Sequence, residues 1–215
     1  ARNTAALALT VDSASHVAFY NCTFFGFQDT VLIKRGAIAY FKSCWIEGSV
    51  DFIWGYGTAF FDGCAIASNT PGTITAHNRD SPSAAGAFVF NSCNVISVVA
   101  SGYGFTSVQQ ADDAKRVYLG RPYSQYARVV YMFCTLGAHI NPAGWEVWSN
   151  SDPRSSDILF GEYENVGTGA SGTRASFATA LTSTTVQPFG LETLFGGDVS
   201  WIDTSAISFH AFIKI

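Results

Sequence analysis

The sequence predicts an all-β protein, a right-handed parallel β-helix, and three observations support this prediction. Five cysteines lie in similar sequence frames, the hydrophobic residues around them alternate with a period of two, and no stretch shows a sustained helical period. The frames read "VAFYNCTF", "AYFKSCWI", "AFFDGCAI", "FVFNSCNV" and "VVYMFCTL". A frame that recurs in this way indicates a chain built from stacked copies of one structural unit.

Each frame predicts two short strands joined by a bend. An aromatic residue precedes the cysteine by three positions, and a hydrophobic residue follows it by two. Side chains alternate between the two faces of a strand, so the odd step from the aromatic residue to the cysteine requires a bend or bulge between them. The position before the cysteine is small or polar in four of the frames, as Asn21, Ser43, Gly63 and Ser92.

The spacing of the cysteines indicates a solenoid whose later coils carry insertions. Successive cysteines are 22, 20, 29 and 41 residues apart. A β-sandwich with chance placement of cysteines is the alternative, and five matching frames disfavour it. We expect one domain over 1–215, with the segment of about 173–215 packing along or capping the solenoid. The stretch 173–185, "TRASFATALTSTT", is a candidate for a short capping helix.

Composition and charge exclude several classes of protein. Of 215 residues, 48% are hydrophobic and 13% are charged, which is typical of a well-packed globular chain. The net charge of −4 without a basic block argues against nucleic-acid binding, and no apolar run reaches the length of a membrane span.

The odd number of cysteines in a core-facing phase predicts mostly buried free thiols, although a bridge between Cys22 and Cys44 is geometrically possible. The histidines are scattered and form no metal-ligand motif.

Two aspartates occupy the same phase of adjacent coils. Asp29 follows Cys22 by seven residues, and Asp51 follows Cys44 by seven. At about 5 Å and an effective dielectric near 20, two carboxylates repel by roughly 3 kcal/mol, or about two pKa units. Either a cation neutralises one of them or one stays protonated, and such a pair supplies a nucleophile or base beside an acid. The spacing fits equally well a structural pair that accepts hydrogen bonds from turn amides.

Several stretches resemble the pectin methylesterases, also called pectinesterases. "GFQDT" (26–30), "IEGSVDFIWG" (46–55) and "YLGRPY" (118–123) are similar to three signature blocks of that family. Further similarity runs through "ITAHNR", "PAGWEVW", "FGEYENVGTGA" and "FGGDVSWID", in the family's order and over nearly the whole chain. The similarity is to fungal or microbial members more than to plant members. The family fold is a right-handed parallel β-helix, which agrees with the independent reading of the repeat.

The resemblance implies a role for each polar site residue. Asp51 would be the nucleophile that attacks the ester carbonyl of a methylated galacturonate. Asp29 would protonate the departing methanol and then activate water to cleave the acyl-enzyme. Gln28 would donate a hydrogen bond to the oxyanion, and Arg121 would hold Asp51 ionised and oriented, since its planar fork suits a carboxylate.

Aromatic side chains commonly line sugar sites, because ring faces match the apolar faces of sugars. The resemblance places Tyr123, Trp145 and Trp54 beside the cleft, with Tyr123 where the family commonly has Trp. Trp148 fits either the cleft or the core. The resemblance further implies a secreted, extracellular or cell-wall enzyme, monomeric, that acts on pectin without a metal or organic cofactor and without a nucleic-acid or membrane partner.

The sequence departs from the family pattern in two places. A glutamine that helps to bind the oxyanion in the family falls on Ala5, or on Ala6 if no gap is allowed. A Gly-x-Tyr-x-Glu-like block and the coils that carry it in the family are not in the sequence, so we expect a β-helix without its N-terminal coils. These departures keep open a non-catalytic pectin-binding relic, and a pectate-lyase-like enzyme is a further alternative.

Overall fold

The computed structural model describes residues 5–12, 16–100, 115–203 and 205, which form three parallel sheets. In chain order the strands are β1 (Leu9–Val11), β2 (Val17–Tyr20), β3 (Thr23–Phe25), β4 (Val31–Ile33), β5 (Ile38–Lys42), β6 (Trp45–Gly48), β7 (Ile53–Gly55), β8 (Thr58–Asp62), β9 (Ala65–Ser68), β10 (Gly72–His77), β11 (Ala87–Asn91), β12 (Asn94–Ser97), β13 (Val117–Pro122), β14 (Arg128–Met132), β15 (Thr135–Leu136), β16 (Leu159–Tyr163) and β17 (Ala178–Ala180). Helical structure in the described residues is short: α1 (Leu191–Leu194) and two 3₁₀ turns, Thr168–Ala170 and Gln187–Phe189.

Each full coil contributes one strand to each sheet. Sheet 1 has the order β1-β4-β7-β10-β13, sheet 2 the order β17-β16-β14-β11-β8-β5-β2, and sheet 3 the order β15-β12-β9-β6-β3. The paired strands of the described chain run parallel, from β1 with β4 to β16 with β17. The structure therefore confirms the predicted parallel β-helix.

The cysteines form the predicted column. The residues that follow them are in register across sheet 3, from Thr23 through Trp45, Ala65 and Asn94 to Thr135. All five thiols are free, and all but Cys22 are fully buried. Because the thiols fill the interior without bridging neighbouring coils, the expectation of mostly buried free cysteines is confirmed.

The aromatic residues three positions before the cysteines form a second column inside the solenoid. Their rings stack with centroids 4.3–4.9 Å apart, in the order Phe19, Phe41, Phe61, Phe90 and Tyr131. Such aromatic pairs contribute about 0.5–1.5 kcal/mol each beyond the burial of their surface. The recurring aromatic position thus fixes the register from coil to coil.

The predicted bend lies at the residue before each cysteine, and it is a left-handed backbone corner. Asn21, Ser43 and Ser92 have φ of 52–53°, and Gly63 has φ of 59°. Asparagine and glycine tolerate this conformation more readily than most residues do. Phe133 adopts the same corner with φ of 57° although it is large, so the corner is imposed by the coil and not by the local residue alone.

The candidate helix over 173–185 is wrong. This stretch contains β17 instead, which pairs with β16 and extends sheet 2. Its five threonines favour extended structure and turns, because branching at Cβ restricts side-chain rotamers in a helix. Beyond it, hydrophobic residues of the C-terminal segment, such as Val186, Phe189 and Phe195, pack against the outer face of sheet 2. Residues 204 and 206–215 lie outside the described part of the chain.

Candidate active site

The two aspartates singled out by their spacing occupy equivalent corners of adjacent coils. Asp29 precedes β4 and Asp51 precedes β7, and the backbone N–H of Asp29 donates to the carbonyl of Val50 at 3.2 Å. Both have left-handed backbones, with φ of 62° at Asp29 and 50° at Asp51. Aspartate is enriched among non-glycine residues in this conformation, and such residues cluster at functional sites.

Both aspartates line one cavity of about 370 Å³ on the surface of the solenoid. Four other residues expected at the site from the sequence line the same cavity: Gln28, Trp54, Arg121 and Tyr123. Ala76 and Trp148 complete its wall. Leu32, Trp54, Ala76 and Arg121 are in register on adjacent strands of sheet 1, so the parallel pairing brings Arg121 beside residues that precede it by 45 positions or more.

Arg121 forms a two-pronged ion pair with Asp51. Its Nε donates to Asp51 Oδ1 at 3.0 Å, and its Nη2 donates to Asp51 Oδ2 at 2.7 Å. Burial lowers the pKa of Arg121, but the hydrogen bonds and the charge of Asp51 outweigh burial and raise it. A cation that can offset the charge repulsion between the two carboxylates is therefore in contact with Asp51.

Asp29 has the opposite environment, since no cation contacts its carboxyl among the described residues. Partial burial, together with the charge of Asp51, raises the pKa of Asp29 from its ordinary value of 3.8 to about 6, against the lowering effect of Arg121. The ion-paired carboxylate of Asp51 thus lies beside the carboxyl group of Asp29, which keeps its proton to a higher pH than an ordinary aspartate does. This division suits one group for nucleophilic attack and the other for proton transfer.

An aromatic wall bounds the cavity on the side of Arg121. The ring of Tyr123 lies 6.2 Å from that of Trp54 and 5.3 Å from that of Trp148, measured between centroids. The guanidinium of Arg121 lies over the ring of Trp148 at 4.4 Å. Trp148, for which the sequence left both core and cleft open, therefore belongs to the cleft.

The expectation that Trp145 flanks the cleft is wrong. Trp145 is 1% exposed, its ring stacks on Phe160 at 4.3 Å, and its Nε1 donates to Glu162 at 3.0 Å. Arg174 pairs with the same carboxylate of Glu162 through Nε and Nη2, each at 2.9 Å. Trp145 is fixed in the interior because its ring packs on an aromatic neighbour there and its N–H has a hydrogen-bond acceptor.

Sequence reasoning missed two residues that support the site. Arg154 lies over the ring of Trp148 at 4.7 Å and donates to the carbonyl of Tyr123 at 2.6 Å, so it ties the two cleft aromatics together. No pattern in the sequence indicated Arg154.

The second of these residues is Thr73, which donates from its hydroxyl to Asp51 Oδ1 at 2.5 Å. It lies 22 residues after Asp51, so the same periodicity that paired the aspartates was the signal that would have found it.

The described residues contain no group of three or more His, Cys, Asp or Glu side chains placed to hold a metal ion. Over the same residues, none of the helices has the length and apolar character that crossing a membrane requires.

Comparisons with known proteins agree on one family. Residues 1–198 match the family model described as Pectinesterase. A pectinesterase from Aspergillus niger is 39% identical over 200 residues, which cover 91% of this chain and 56% of that protein. The crystal structure of a deglycosylated pectin methylesterase from Aspergillus niger aligns with a TM-score of 0.70 at 34% identity, over 87% of this chain and 57% of that one.

A solved pectin methylesterase in complex with a hexasaccharide aligns with a TM-score of 0.61 at 26% identity, over 83% of this chain and 56% of that one. This chain therefore spans a little over half the length of the relatives that it matches.

Proposed function

Because the chain belongs to the pectinesterase family, we propose that it removes methyl esters from pectin, a methylated polygalacturonate, and releases methanol. The observation that carries this proposal is the pairing of two unlike carboxyl groups in one cavity. Asp51 is held by the fork of Arg121, and the pKa of Asp29 is raised to about 6 by partial burial and by the charge of Asp51. Ester hydrolysis by a carboxylate nucleophile needs both kinds of group within reach of one carbonyl.

In the proposed reaction, Asp51 attacks the ester carbonyl and forms an acyl-enzyme. The amide of Gln28 donates a hydrogen bond to the oxygen on which negative charge develops. Asp29 gives its proton to the departing methanol, and its carboxylate then takes a proton from the water that cleaves the acyl-enzyme. The second step returns both aspartates to their starting forms.

The aromatic wall supports binding of a polysaccharide. Trp54, Tyr123 and Trp148 present ring surface to the cavity, and such rings pack on the apolar faces of sugars. A secreted location, extracellular or at the cell wall, a monomeric state and chemistry without a metal or organic cofactor belong to the same proposal. Pectin is the substrate that this location would supply.

The test is an assay of the full-length protein with highly methylated pectin, in which methanol and the sugar products are both measured. We expect methanol to be released, no unsaturated sugar to form, and activity to persist in the presence of a chelator. An unsaturated product that requires calcium would instead indicate a lyase. Binding of pectin without methanol release would indicate a non-catalytic binding protein.

Replacing Arg121 by Lys is expected to lower kcat by about a hundredfold, because small misplacements of a reacting group have effects of this size. A lysine ammonium makes one point contact and cannot reproduce the two parallel hydrogen bonds or the stacking on Trp148. The measurement is the steady-state rate of methanol release. Arg174→Lys is the matched control, since Arg174 makes the same two-pronged contact with Glu162 away from the cavity. Equal losses of kcat in the two variants would contradict the role of Arg121.

Introducing glutamine at Ala5 is expected to raise kcat by about tenfold or more, because one oxyanion donor is commonly worth about 10²–10³ in rate. Ala5 forms an isolated parallel bridge with Gln28, so a glutamine there would lie one coil away from the proposed donor. Ala6→Gln is the control, because neighbouring residues of a strand face opposite sides. A gain in Ala6→Gln alone would contradict the alignment of the family glutamine with Ala5. No gain in either variant would contradict the inference that the protein lacks an oxyanion donor at this position.

A further inference from the structure

Thr73 is the third member of the column that contains the two aspartates. Asp29, Asp51 and Thr73 follow one another at intervals of 22 residues, and Thr73 lies in β10, beside the coil that carries Asp51. Its residue exposure is 1%. A buried hydroxyl requires a hydrogen-bond partner, and the identity of that partner indicates what the hydroxyl does.

The hydroxyl and backbone of Thr73 both contact Asp51. Thr73 Oγ1 donates to Asp51 Oδ1 at 2.5 Å, and the backbone N–H of Asp51 donates to the carbonyl of Thr73 at 2.7 Å. The same N–H also approaches Thr73 Oγ1 at 3.3 Å. Because this N–H occupies an acceptor position of the hydroxyl, the single hydroxyl proton is directed at Oδ1.

The donors around Asp51 distinguish its two oxygens. Oδ1 accepts from the Thr73 hydroxyl and from Arg121 Nε, whereas Oδ2 accepts only from Arg121 Nη2 among the described residues. An ionised carboxylate has about two acceptor positions on each oxygen. Both positions of Oδ1 are therefore filled, and one position of Oδ2 remains for another partner.

We propose that Thr73 is a positioning residue that holds the Asp51 carboxylate so that Oδ2 is the attacking oxygen. This assignment rests on the proposed ester hydrolysis. The free electron pair of Oδ2 forms the new bond to the ester carbon, and the carbonyl electrons move to oxygen. When they return, the bond to the methoxy oxygen breaks, and Asp29 supplies the proton that completes methanol.

A purely structural threonine in this fold has a different partner. Thr75, two residues further along β10, donates to the backbone carbonyl of Leu119 at 2.9 Å, and Thr30 donates to the carbonyl of Glu47 at 3.1 Å. Both threonines are fully buried and join one coil to another without contacting Asp51. Thr73 differs because its hydroxyl contacts the carboxylate that is proposed to react.

The test compares Thr73→Val, Thr73→Ser and Thr75→Val in the full-length protein, by steady-state methanol release and by thermal unfolding. Thr73→Val should lower kcat by about tenfold or more, with KM within about twofold, because no contact with the bound sugar is removed. Thr73→Ser keeps the hydroxyl and should retain most of the wild-type kcat. Thr75→Val should lower Tm by a similar amount to Thr73→Val and leave kcat near the wild-type value.

The outcomes separate this assignment from the proposed function. If Thr73→Val and Thr75→Val have the same kcat, or if Thr73→Ser is as impaired as Thr73→Val, Thr73 does not position the nucleophile. Either result overturns the assignment while the wild-type rate still supports ester hydrolysis. If the wild-type protein releases no methanol, the proposed function and the assignment of Oδ2 are both overturned.

Discussion

Replacing Asp51 by Asn is expected to lower kcat for methanol release by about 10⁴-fold or more, since removal of a covalent nucleophile has effects of this order. An amide is too weak a nucleophile to form the acyl-enzyme. Its size is nearly unchanged, and its oxygen still accepts a hydrogen bond from Arg121, so we expect the fold and the binding of pectin to be retained. The measurement is methanol release at saturating pectin, with binding measured separately.

Asp62→Asn is the matched control for this substitution. The carboxylate of Asp62 accepts hydrogen bonds from Lys42 at 2.5 Å and from Asn91 at 2.9 Å on the outer face of sheet 2, away from the cavity. Its loss should lower Tm and leave kcat near the wild-type value. A wild-type rate in Asp51→Asn would mean that Asp51 is structural, and the pectin-binding alternative would then be favoured.

Replacing Asp29 by Asn is expected to lower kcat by about 10²–10⁴-fold, the usual range for loss of a general acid or base. The asparagine cannot protonate methanol or activate water. In the wild-type protein, the first step needs the protonated form of Asp29, whose pKa is raised to about 6. The wild-type value of kcat/KM should therefore fall as the pH rises above about 6, and the measurement is the pH profile of methanol release.

The same variant should be more stable than the wild type at neutral pH. The pKa of Asp29 is about 6 in the folded protein and 3.8 is its ordinary value, so the folded state binds more protons between these two pH values. Wild-type stability contributed by Asp29 is therefore lost as the pH rises through this window. Asp29→Asn removes this loss, so its gain in Tm should be present at pH 7 and should disappear near pH 4. A lower Tm for Asp29→Asn at pH 7 would contradict the electrostatic explanation.

The fold was predictable because each coil repeats one arrangement of residues. The aromatic position before each cysteine became a stacked column, and four of the five corners carried a small or polar residue before the cysteine. The corner at Phe133 was not predictable from its own residue type, because the neighbouring coils determine its backbone. The error at 173–185 has a related cause, since pairing with β16 determines that stretch and not its local helical propensity.

The site was predictable where it follows the repeat and not where it depends on loops. Asp29 and Asp51 are one coil apart, so their proximity followed from counting residues. Arg121 lies 70 residues from Asp51 in sequence, across coils of unequal length, and was indicated by family resemblance alone. Trp145 and Trp148 are three residues apart, yet one is in the interior and the other in the cleft. Trp145 forms an isolated parallel bridge with Gly120, and the course of the chain after this bridge determines that Trp148 faces the cleft.

The most direct test of the central proposal is to identify the residue that carries the acyl group during turnover. The full-length protein would be mixed with a saturating methylated oligogalacturonate and quenched in acid, and its peptides would then be analysed by mass spectrometry. The proposed mechanism predicts that the peptide containing Asp51 gains the mass of the acylating oligogalacturonate, with the modification on Asp51 itself. A modification on Asp29, or on any residue other than Asp51, would contradict the assignment of Asp51 as the nucleophile.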